Sequence, residues 1–332
     1  MSKKNDRKRR NWGSLPEKLP HPIIDTHAHI DMISGWVDDI NKNNVAKNRE
    51  RIHNPTLAEI TNASAAVGVE RFIQCACEIS GIETLSDTLN DIEKNQIAGS
   101  NILKSNIPKA ISAAAIHPNE AALHDNFCDP SPDGLIPIQR DIHKNLSLDE
   151  AIVSVENIIK ADKRVIVVGE TGLDYFRTAE SGRQSQIKSF REHIRLAKDY
   201  NLTLQIHDRL AHFDVMDILQ RDKAPERVIF HSFSGDSQMA EACTKKGWFL
   251  SFSGPITYKT NDDIRKALFA TNKDYILLET DCPFLTPEPV RGGPNAPAYT
   301  AYTAKYISTL LDMDLEEFCK LTFNNTLNSL GI

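Results

Sequence analysis

The 332-residue chain is 40% hydrophobic, with ordinary glycine and proline content, so it is long enough to bury a large core and too mixed for a collagen-like or disordered polymer. No apolar run approaches the roughly 20 residues of a membrane-spanning helix, which predicts a soluble protein with no membrane partner. A formal net charge of −6 and six cysteines without C-x-x-C spacing exclude a global positive field for nucleic acid, a disulfide framework and a cysteine zinc site, and they suit a reducing cytoplasm.

From the N-terminus, Lys3-Lys4-Asn5-Asp6-Arg7-Lys8-Arg9-Arg10 is basic, but the apolar core of a signal peptide does not follow it. Residues 1–20 therefore read as a flexible basic tail and residues 21–332 as one domain. Short β-branched apolar runs follow at 23–30, 71–77, 110–116, 164–170, 203–207, 228–231, 248–253 and 275–279. Thr56-Leu57-Ala58-Glu59 and Ser147-Leu148-Asp149-Glu150 have capping-box form and open helical patterns. Further helices are expected at about 183–200, 211–221, 237–246, 262–270, 298–311 and 315–327. Eight strands alternating with helices predict a closed (β/α)8 TIM barrel, with the asparagine- and lysine-rich segment 34–55 and the segment 125–146 as long loops.

Ligand-type side chains recur at the C-terminal ends of these strands, where barrel active sites are assembled. His27 and His29, two residues apart on one strand, face the same way and by themselves read either as a bidentate metal clamp or as two satisfied histidines of a core strand. Glu170 closes the fourth strand, His207 the fifth and His231 the sixth, while Asp281 follows the eighth. Six such residues at one rim describe a metal-binding mouth. Asp25 is either a partner that orients a histidine ring or an ordinary strand-end hydrogen-bonding group. Tyr175, Phe176 and Phe233 either stack a base or pack on the rim. His21, His53, His124, His143, His193 and His212 share no such pattern and read as surface or helix residues. Cys282 lacks a paired base and is not a thiol nucleophile.

The segments Asp25-Thr26-His27-Ala28-His29, Gly169-Glu170-Thr171-Gly172-Leu173-Asp174-Tyr175, His231-Ser232-Phe233-Ser234-Gly235 and Glu279-Thr280-Asp281-Cys282-Pro283-Phe284-Leu285-Thr286-Pro287 closely resemble the TatD family of metal-dependent deoxyribonucleases, within the amidohydrolase superfamily. The resemblance covers about residues 22–330 and implies a two-metal hydrolase. It implies that His27, His29 and Asp281 hold one ion, that His207 and His231 hold the second, and that Glu170 bridges them. Asp281 would orient the attacking water and accept its proton, making Asp281 and Glu170 the catalytic pair. His117 matches a substrate-contacting position, although Ala115 stands where the family usually has glycine, and a structural cap is the other reading of His117. Arg209 and Arg291 lie on mouth loops as phosphate-binding candidates or as solvated arginines. The implied activity is hydrolysis of DNA phosphodiesters, including a 3'–5' exonuclease mode on single strands, with RNA a further substrate. Phosphoryl chemistry favours Mg2+, and the imidazole ligands also suit Mn2+ or Zn2+. The negative charge favours single strands or frayed ends over long duplex. The sequence points to no obligate protein partner. The rivals are hydrolysis of an amide, lactone or aminoacyl ester and a noncatalytic scaffold. Many superfamily members bridge their metals with a carbamylated lysine, and Glu170 in that place favours the nuclease branch.

Overall fold

The computed structural model describes residues 11–47, 49–95 and 107–332. Its eight strands are β1 (Ile23–Ala28), β2 (Val69–Ala76), β3 (Ile111–Ala114), β4 (Val165–Asp174), β5 (Thr203–Arg209), β6 (Val228–Phe230), β7 (Phe249–Phe252) and β8 (Ile276–Leu278). Each pairs in parallel with the next in chain order. Closure between β8 and β1 comes from Asp281 N–H to His27 O (2.9 Å), His29 N–H to Cys282 O (2.8 Å) and the Thr26 hydroxyl to Leu278 O (3.1 Å). The result is a (β/α)8 barrel, as expected.

The helices carry their apolar stripe inward. On α6 (Leu148–Ala161), Leu148, Ala151, Ile152, Val155 and Ile159 are buried at helical spacing, and the Ser147/Glu150 box caps its start. Each large side chain buried this way contributes about 1.5–3 kcal/mol. The Thr56/Glu59 box likewise opens α2 (Leu57–Val67). The remaining expected helices are α7 (Arg183–Asp199), α8 (His212–Arg221), α9 (Ser237–Lys245), α10 (Asp262–Ala270), α11 (Thr300–Leu310) and α12 (Leu315–Leu330). None in the described residues is long and apolar enough to cross a membrane.

Several expectations need correction. Most of the expected loop 34–55 belongs to helix α1 (Ile30–Ala46), whose Ile30, Ile33, Val37 and Ile40 form a thin buried stripe beneath a polar surface. The Asn41 side chain then pins the returning chain, donating to Ile52 O (3.0 Å) and accepting from Ile52 N–H (2.7 Å). Helices α3 (Ile79–Asn95) and α4 (Pro118–His124) were not anticipated. The segment 125–146 is largely irregular but holds the short helix α5 (Asp141–Asn145), and it walls a cavity of about 480 Å³ with Phe127, Leu135 and Ile138. The basic run 3–10 lies outside the described residues. Residues 12–19 are docked, through Trp12 Nε1–H to His53 O (2.8 Å), Tyr299 O–H to Gly13 O (2.9 Å) and Leu19 N–H to Val67 O (2.9 Å), so the tail boundary at residue 20 falls too late.

His193, on α7, is fully buried. Its Nδ1–H donates to Ser189 O (2.7 Å) and its Nε2 accepts from Ile116 N–H (3.1 Å), which fixes a neutral ring under the loop carrying His117. Burial pushes its pKa down from 6.5 to about 4. Because the unfolded chain binds the extra proton, this contribution to stability is complete above pH 6.5 and falls as the pH drops towards 4, by about 3 kcal/mol in all. His193→Gln is expected to flatten the dependence of the melting temperature on pH between 6.5 and 4, measured by calorimetry. An unchanged slope would remove His193 as the acid-labile group.

Candidate metal centre

The backbone geometry that delivers Glu170 begins with two glycines. A Cβ on Gly169 would lie 2.5 Å from Gln205 Cβ, and one on Gly172, at φ 137°, would lie 2.1 Å from His207 O. Only glycine lets β4 approach β5 so closely. The pairing register also shifts between Val168 and Thr171, an irregularity of the kind that re-aims side chains beside active sites. β4 continues to Asp174, four residues past its expected end.

Around the Glu170 carboxylate the predicted residues meet. Oε1 lies 2.5 Å from His207 Nδ1, 3.1 Å from His231 Nε2 and 3.6 Å from His117 Nε2. Oε2 lies 3.4 Å from His27 Nε2 and 3.9 Å from His29 Nε2. Asp281 Oδ1 completes the cluster, 3.8 Å from His27 Nε2 and 3.6 Å from His29 Nε2. Asp281 (φ 56°) and Ser232 (φ 40°) both hold left-handed backbone at strand exits, a costly conformation concentrated at functional sites.

The hydrogen bonds set the histidine tautomers. Gln205 Nε2 donates to Thr26 O (2.8 Å), which leaves its Oε1 to accept from His27 Nδ1–H (2.9 Å). His29 Nδ1–H donates to Cys75 O (3.2 Å). Both Nε2 lone pairs therefore point into the cluster, and they face each other at 3.0 Å. Two lone pairs at that distance repel unless a proton or a cation lies between them. Burial, then the neighbouring His27, pushes His29 down to about 3, which disfavours the proton. Imidazole nitrogens and carboxylate oxygens converging this way fit a divalent cation, and three sets within 4.8 Å of one another are His27/His29/Asp281, His27/Glu170/His231 and His117/Glu170/His207.

The electrostatics are those of a buried charge cluster. Burial raises the Glu170 carboxyl, but the imidazoles of His231, His117 and His207 outweigh it and hold it well below the usual range. Burial pushes Asp281 up to about 6. Burial lowers the His207 ring, yet Glu170 and Asp174 on either side carry it up to about 9.

Three supporting residues escaped sequence reasoning. Gln205 orients His27, and its place two residues before His207 on the same strand face was the available signal. Asp174 Oδ2 lies 3.1 Å from His207 Nε2 while its Oδ1 accepts from the Phe176 and Arg177 N–H groups. Glu279 Oε1 lies 2.9 Å from His231 Nδ1 and accepts from Ser232 N–H (2.8 Å). Such partners fix ring orientation and basicity in metal sites. Asp25 does not touch the His27 ring. Its Oδ1 accepts from the N–H groups of His27 (3.2 Å) and Thr280 (2.9 Å), so it ties β1 to the β8 exit.

His117 has two contacts. Its Nδ1 accepts from Asn119 N–H (3.1 Å) as the cap of α4, which leaves Nε2–H directed at the cluster. Arg209 lines a cavity of about 310 Å³ with His207, His231 and Asp281, its guanidinium 4.1 Å above the Phe176 ring. Arg291 does not line either cavity at the cluster and is stacked 3.6 Å over Tyr258. Tyr175 and Phe233 pack on the rim: the tyrosine hydroxyl donates to Asp214 Oδ2 (2.6 Å), and Phe233 is buried against Phe230 and Phe252. Cys282 is fully buried, and burial raises its thiol well above the ordinary range.

Residues 24–331 match the family model described as TatD related DNase. YabD of Bacillus subtilis, named a metal-dependent hydrolase, is 41% identical over 169 residues, which is 50% of this chain and 66% of that protein. The metal-dependent hydrolase TatD of Mycobacterium tuberculosis is 37% identical over 188 residues, 55% of this chain and 71% of its own. The crystal structure of YjjV, a TatD homologue from Escherichia coli K12, superposes with a TM-score of 0.69 at 23% identity, covering 93% of this chain and 98% of that one, and so shares the fold. With the family model spanning nearly the whole barrel, the chain belongs to the TatD-related DNase family and is a metal-dependent hydrolase of the TatD type.

Proposed function

We propose that the protein hydrolyses phosphodiester bonds of DNA, preferring single strands or frayed ends, with RNA within reach of the same chemistry. The observation that carries this reading is the meeting of His27, His29, His207, His231 and Asp281 around Glu170 at one mouth of the barrel. His27, His29 and Asp281 would hold one divalent ion and His207 and His231 a second, with Glu170 shared between them. Mg2+, Mn2+ or Zn2+ would each fit these nitrogen and oxygen ligands. When bound, such a pair supplies Lewis acidity that makes water more acidic and neutralises charge on the phosphodiester oxygens.

The chain's own residues supply the rest. Asp281 would orient the attacking water and take its proton. His117 offers its Nε2–H to a phosphate oxygen, and Arg209 presents its guanidinium at the cavity margin. The imidazoles of His231, His117 and His207 facing Glu170 favour the ionised form of that carboxylate.

The test is digestion of end-labelled single-stranded and duplex DNA with Mg2+, Mn2+ or Zn2+, both product termini being identified, beside a panel of lactones and N-acyl compounds. Activity is expected on the oligonucleotides, lost after chelation and regained when the ion is returned. Hydrolysis confined to the small compounds would transfer the site to the amidohydrolase rival.

A further inference from the structure

We infer that Cys77 is a sulfur ligand to the ion held by His29 and Glu170, and that it biases this centre towards borderline-soft cations such as Zn2+ over Mg2+. The inference rests on the metal-dependent reading of the site and names the ion class it takes. Cys77 Sγ, a His29 ring nitrogen and a Glu170 carboxylate oxygen all lie within 4.8 Å of one another, with Sγ 3.8 Å from Glu170 Oε2. Sulfur and oxygen ligands of one ion, about 2.3 and 2.1 Å from it and about 90–120° apart, stand about 3.1–3.8 Å from each other. The 3.8 Å between Cys77 Sγ and Glu170 Oε2 is therefore at ligand spacing.

The surroundings separate this cysteine from its neighbour. Both cysteines follow the β2 face that looks into the barrel. Cys75 is fully buried one layer deeper, its Sγ 3.4 Å from His27 Nδ1, the nitrogen turned away from the cluster. Cys77 lies just past the strand end and lines a cavity of about 300 Å³ together with His29, Glu170 and Asp281, where an entering ion would meet it. Its carbonyl accepts from His117 N–H (2.9 Å), which fixes the strand exit. As the ion binds, the S–H bond breaks, the sulfur–metal bond forms and the proton leaves to bulk water through the cavity. A thiolate favours zinc-like ions, whereas Mg2+ prefers oxygen ligands and keeps its waters.

The full chain, stripped with a chelator and kept under a non-thiol reductant, is titrated with Co2+ alone. A d–d spectrum accompanied by a near-ultraviolet sulfur-to-cobalt charge-transfer band is expected. In Cys77→Ser the d–d bands persist and the charge-transfer band disappears, whereas Cys75→Ser keeps both. Calorimetric Kd for Zn2+ rises by more than about 100-fold in Cys77→Ser, above the range for residues that only support a ligand, with little change for Mg2+. A wild-type d–d spectrum with no charge-transfer band, or a band that survives in Cys77→Ser, overturns the assignment and leaves Cys77 as an S–H donor to Glu170 while the metal-dependent reading stands. Failure to bind Co2+, Zn2+ or Mg2+ at all overturns both. Absence of the charge-transfer band in the wild type overturns the assignment even if a variant fails to fold.

Discussion

Replacing Glu170 with glutamine is expected to reduce turnover by more than about 100-fold while leaving the barrel folded. Removing a residue that only supports a metal ligand typically costs about 10–100-fold, and Glu170 touches the cluster itself. Its two oxygens reach His207, His231 and His117 on one side and His27 and His29 on the other. Glutamine keeps the shape, removes the negative charge and turns an N–H2 donor towards imidazoles, so both halves of the site lose their common partner. The variant's circular dichroism should match wild type, and its metal affinity by calorimetry should fall together with hydrolysis of labelled oligonucleotides. Wild-type turnover in Glu170→Gln would leave the proposed centre without its middle.

His207→Ala should likewise abolish nearly all turnover with the fold intact. The ring stands between Glu170 and Asp174 at the open end of β5, outside the hydrophobic core, so truncation removes a site contact and little packing. Asp174 keeps its backbone donors from Phe176 and Arg177. The stability change should therefore stay in the ordinary range of about 0.5–3 kcal/mol. Thermal unfolding and single-turnover assays on the same preparation separate the two effects. Metal-dependent activity surviving in this variant would remove His207 from the second-ion position.

Some of the site was legible because its logic is local. Alternation along a strand puts His27 and His29 on one face, and it would also have nominated Gln205 from His207. Capping boxes at Thr56 and Ser147 mark helix starts from four residues each. Helix α1 escaped notice because its four buried aliphatics are diluted by asparagines and lysines, so composition masks the periodicity that packing exploits. The continuation of β4 past Glu170 was equally hidden, since it depends on two glycines meeting the backbone and side chain of another strand.

By itself, the sequence determined the alternating strand–helix rhythm, the barrel it implies and the identity of the ligand-type residues at strand ends, because these depend on periodicity and residue chemistry along short stretches. Tertiary structure alone decided which nitrogen of each histidine faces the cluster, that Asp174, Gln205 and Glu279 support those rings, that Asp25 ties two strands together, and that Cys77 lies within reach of Glu170. Hydrogen-bond direction and sub-4 Å distances arise between residues 255 positions apart in the chain, such as Asp25 and Thr280. Only closure of the barrel brings them into contact.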